Sequence, residues 1–115
     1  MANIKDISTA LSLFEEAAIA HAEATEQGDY KTGSKCYATI AKTITFLKEK
    51  GEISVLLIFL NHVSVGVRLW AATHLLLVHE VEGVKVLEEI VATTGIHSFT
   101  AKTTLSEWQK GNLKI

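Results

Sequence analysis

The sequence predicts an all-α fold, with six helices arranged as three stacked antiparallel hairpins in one domain spanning residues 1–115. Three observations predict it. Apolar residues recur every three or four positions along nearly the whole chain, the period of an amphipathic helix. No segment sustains the period-two alternation of a strand. Breaks at Gly28, Gly51, Asn61 to Ser64, His79 to Gly83 and Gly95 leave connections of roughly two to five residues, which antiparallel neighbours need.

The first helix carries Ile4, Ile7, Leu11, Phe14, Ala18 and Ala22 as one stripe. Asn3 is its expected N-cap, with Asp6 in the first turn, and Gly28 is its stop. The second starts at the N-cap Asp29, carries Tyr30, Gly33, Tyr37, Ile40, Ile44 and Leu47 inward, and ends at Gly51. The third is short, about 53–60. The fourth runs from the N-cap Ser64 to about Val78. The fifth covers about 82–94, with Val84, Leu87 and Val91 inward. The sixth covers about 98–110, with Ala101, Leu105 and Trp108 on one face. The third and fourth are apolar on nearly every side, so burial all round is expected for them, with the outer pairs as polar caps.

A domain of 115 residues with 48% hydrophobic side chains is long enough for one core and too apolar for disorder. The single cysteine, Cys36, excludes an internal disulfide framework and a Cys-based zinc site. The N-terminal residues show no secretory pattern, and a cytoplasmic location is expected. The longest wholly apolar run, "VLLIFL" at 55–60, falls far short of the roughly 20 residues of a membrane helix.

Chemistry-bearing motifs are few. "GDYKTGSK" (28–35) has the glycine spacing of a phosphate-binding loop, but Ser34 and Lys35 stand in reversed order and a helix precedes it, not a strand. It reads as a corner between two helices. Five histidines, at 21, 62, 74, 79 and 97, raise a metal site, but His74 and His79 are five apart, neither has a Glu three before it, and Glu16 and His21 are also five apart, so they read as isolated surface or capping residues. Glu15–Glu16 and Glu88–Glu89 are adjacent pairs that diverge by about 100° on a helix and do not share a proton-transfer site. No cofactor, metal or catalytic residue is expected. Trp70 lies opposite the face of Val67, Ala71 and Val78, where either a neighbouring hairpin or a partner covers it.

"SVGVRLWAATHLL", with Val67, Arg68, Ala71, Ala72 and Leu75, resembles the second helix of a HEAT repeat. Together with "LSEWQKG" at 105–111 it also resembles a family of small bacterial HEAT-like proteins of uncharacterised function. The likeness covers 53–111, with Ser64 and Gly66 standing where the repeat commonly has Asp and Pro. It implies a HEAT-like right-handed α-solenoid acting as a binding scaffold, with no catalytic residues to carry over.

The charges are segregated. The first helices of the hairpins (3–28, 52–61, 82–95) hold nine acids and two bases, while the second helices (29–50, 63–79, 97–111) hold eight bases and three acids. In a stack of hairpins this produces an acidic back and a basic groove, unless the charges merely pair along hairpin rims. The function expected is a non-enzymatic protein-binding module, of immunity or inhibitor type, holding an acidic partner. Its candidate contacts are Lys35, Lys42, Arg68, Trp70 and Lys102. The alternative is nucleic-acid binding on the same basic face. Self-association through Leu69 and Trp70 is compatible with both.

Overall fold

The computed structural model describes residues 4–115. Among these the chain is all-helical, without strands: α1 (Ile7–Gln27), α2 (Tyr30–Glu49), a 3₁₀ segment (Ile53–Phe59), α3 (Val65–Leu75), α4 (Glu80–Val91) and α5 (Ile96–Gln109). It divides into two compact units, one ending at Val55 and the other spanning Leu56–Ile115.

In the first unit α1 packs along α2. The expected cap Asn3 lies outside the described residues, and Asp6 caps α1 by accepting a 2.7 Å hydrogen bond from the Thr9 N–H. Asp29 does the same for α2, accepting from the Thr32 N–H at 3.1 Å. Both helices therefore begin with Asp-x-x-Thr, an oxygen acceptor offered to an otherwise orphaned amide. The amide and hydroxyl of Thr9 hold the Asp6 carboxyl below the ordinary carboxylate range. The hydroxyl and amide of Thr32 do so for Asp29. The "GDYKTGSK" corner resolves accordingly. Gly28 is left-handed at φ 71°, and the Asp29 N–H returns to the Ala24 carbonyl at 2.8 Å.

The buried face of α1 is alanine-rich (Ala10, Ala17, Ala18, Ala22, Ala24) around a fully buried Phe14. That of α2 carries Ile40, Thr43, Ile44 and Leu47. Here the expected stripe is corrected: Tyr30 and Tyr37 are 86% and 57% exposed, and the first half of α2 turns the smaller Gly33 and Cys36 inward instead. Thr43 is buried at no polar cost, since its hydroxyl donates to the Ile40 carbonyl at 2.7 Å.

The third element is a 3₁₀ helix rather than an α-helix. Its three-residue turn puts Ile53, Leu56 and Phe59 on one buried line and leaves Ile58 exposed. Ser64 caps α3 as the sequence predicts, but α3 ends at Leu75 and the chain turns through 76–78. Every residue of α3 is buried or half-buried, as expected, but burial all round does not hold for the 3₁₀ segment or for the residues flanking α3. Ile58, Leu77 and Val78 are exposed, and Val63 is 95% exposed. The stretch is apolar in composition, yet the 3₁₀ segment and the flanks of α3 have exposed positions that composition alone does not mark.

The second unit has its own core. Leu69, Ala72 and Leu76 meet Val86, Leu87 and Ile90, with Ala101 of α5 closing it. Leu69 is therefore a core residue and not a self-association surface. Gly83 allows α4 to approach α3 closely. Trp108 packs half-buried against this core, and its indole N–H donates to Glu80 Oε2 at 2.7 Å, tying α5 to the first turn of α4.

Candidate partner-binding surfaces

The first candidate surface is the outward side of α2. Residues four or seven apart on a helix stand nearly one above the other. Lys31, Lys35 and Lys42 thus form one basic ridge, and all three are exposed. Tyr30 and Tyr37, again seven apart, form a second exposed line on a different side of α2, since Tyr30 and Lys31 are adjacent and Lys35 and Tyr37 are two apart. Glu49 follows at the C-terminal end of the lysine side. The lysine ammoniums on flexible stems attract anions by charge, and the exposed phenol rings offer flat apolar area on their own side of the helix. The lysine ridge was legible as a charge excess. The exposed tyrosines were not, because aromatic residues at helical spacing read as core.

The other three predicted contacts belong to the second unit and do not form one cluster. Arg68 and Trp70 are two apart on α3, so they point to different sides. Arg68 is half-buried, and its Nε is buried without a hydrogen-bond partner. Trp70 is also half-buried and stacks on His74, with ring centroids 6.0 Å apart and planes inclined by 10°. Lys102 is exposed on α5, where it lines an open groove of 340 Å³ with Glu88, Val91, Leu105, Ser106 and Gln109. Sequence reasoning missed this groove, which exists only where α4 and α5 pack.

Among the described residues no group of three or more His, Cys, Asp or Glu side chains is placed to hold a metal ion. His62 has a local role, its Nδ1 accepting the Ser64 N–H at 2.9 Å ahead of α3. Cys36 is half-buried on the inner side of α2. No described helix is long and apolar enough to cross a membrane.

The fold has a counterpart among solved structures. The chain is similar to the protein RPA1889 from Rhodopseudomonas palustris CGA009, with a TM-score of 0.88 and 21% identity. The match covers 96% of this chain and 93% of that one. At that identity the likeness shows a shared helical fold with a bacterial protein. No protein-family model and no curated protein matches the chain.

Proposed function

We propose that this chain is a non-enzymatic, HEAT-like helical-hairpin module that captures an acidic protein partner, in the manner of an immunity or inhibitor protein. The observation that carries this reading is the exposed ridge of Lys31, Lys35 and Lys42 on α2. A local ridge of like charge steers an oppositely charged partner and raises the encounter rate even on a protein of net charge −2. Arg68 and Trp70 are further contacts on the second unit, and Lys102 is taken up below. Tagged protein with Lys35→Glu and Lys42→Glu should retain its fold and lose most of the partner captured from lysate by the parent chain. Unchanged capture sinks the reading.

Nucleic-acid binding is the second reading, and the exposure of Tyr30 and Tyr37 on the same helix as the lysines favours it. Single strands stack their bases on exposed aromatic rings while cations hold the backbone. Fluorescence anisotropy with labelled duplex DNA and single-stranded RNA separates the two. Binding that falls steeply with salt, and is lost in the same double variant, selects nucleic acid. Absence of binding at low salt selects the protein partner.

A further inference from the structure

The outer side of the α4–α5 hairpin carries charged and large apolar residues around one open groove. Val81 and Glu88 are seven apart on α4 and share one side. Phe99, Lys102 and Ser106 are spaced three and four apart on α5 and share another. Glu88 and Lys102 line the same groove from opposite helices, above an apolar floor of Val91 and Leu105. Both charged residues are exposed. So are two large apolar side chains on the same hairpin, with Val81 79% and Phe99 70% exposed.

A two-fold interface presents the same patch from both sides, so any residue that meets a different one is met by it in return. A patch with one acid and one base across a shared groove satisfies this condition on its own. A two-fold axis through the groove would set each Lys102 opposite the other copy's Glu88. A surface of one sign would repel its copy instead. We infer that the chain forms a two-fold homodimer through the α4–α5 face, with Glu88 and Lys102 paired reciprocally and Phe99 and Val81 covered at the contact. This inference is independent of the reading of the α2 ridge, which belongs to the other unit.

Sedimentation velocity on the full chain across a concentration series, from micromolar to several hundred micromolar, tests it. The parent chain should show a monomer–dimer equilibrium. Glu88→Lys and Lys102→Glu should each raise the dissociation constant about tenfold or more, as like charges then face each other. The double variant Glu88→Lys/Lys102→Glu should restore dimerisation close to that of the parent, an outcome that misfolding of the single variants would not give. Phe99→Asp should leave a monomer, whereas Lys35→Glu/Lys42→Glu should leave the equilibrium unchanged. A parent chain that stays monomeric throughout, or a double variant that fails to recover, overturns the inference. Loss of partner capture with the dimer intact bears on the α2 reading alone.

Discussion

Gly33 and Gly83 both lie within helices, and a β-carbon added at each would meet different surroundings. At Gly33 it would lie 3.9 Å from the Ala24 Cβ, ordinary van der Waals contact. At Gly83 it would lie 2.8 Å from the Ala72 carbonyl oxygen and 3.1 Å from Leu76 Cδ2, and backbone is slow to yield. Glycine inside a helix costs about 0.5–1 kcal/mol relative to alanine. Gly33→Ala should therefore stabilise the chain by about that amount, because nothing opposes the gain. Gly83→Ala should destabilise it by about 1–3 kcal/mol, the usual penalty of overpacking. Urea unfolding of the two variants measures both signs, and equal effects would show that α3 and α4 do not meet as described. The sequence reads Gly33 as part of a helical stripe and Gly83 as the end of the break at 79–83, and neither reading marks the close approach of α3 that Gly83 permits. The caps were easier to read. Asp29 and Ser64 each offer an oxygen just ahead of a helix, a local arrangement needing no tertiary knowledge.

Elements were legible where a polar side interrupts the apolar one, and less so where it does not. In α2 the deep half of the stripe, Ile40 to Leu47, lies where the spacing predicts. Its first half fails at Tyr30 and Tyr37, because α2 meets the alanine face of α1 through small residues such as Gly33. In "ISVLLIF" almost every position is apolar, so a period of 3.0 cannot be told from 3.6 by pattern. The difference has a measurable consequence. With three residues per turn Leu56 is fully buried while Ile58, two positions on, is exposed. Leu56→Ala should cost about 2–5 kcal/mol through lost burial and the cavity left behind. Ile58→Ala should stay within about 0.5 kcal/mol of the parent, as surface substitutions do. Comparable losses at both positions, read from denaturant midpoints, would argue that this segment is packed on all sides.

For the whole molecule, net charge and charge placement make opposite predictions. A formal net charge of −2 and an isoelectric point near 6.2 describe a chain that an anionic surface should repel slightly at pH 7. The ridge of Lys31, Lys35 and Lys42 describes one that an anionic surface should hold by a single side. Local fields act within about a Debye length, roughly 10 Å at 0.1 M salt, so at low ionic strength the ridge should dominate. The parent chain should then be retarded on a sulfonated or heparin-type matrix at low salt and released by moderate salt. Two double variants separate the causes. Lys35→Glu/Lys42→Glu and Lys5→Glu/Lys85→Glu each move the net charge by four units, from −2 to −6. All four lysines are exposed, so neither change disturbs a core. Only the first removes the ridge, and only the first should abolish retention. Equal loss in both would mean that the molecule responds to its total charge, and the segregation of acids and bases between helices would then reflect pairing along hairpin rims rather than a surface for a partner.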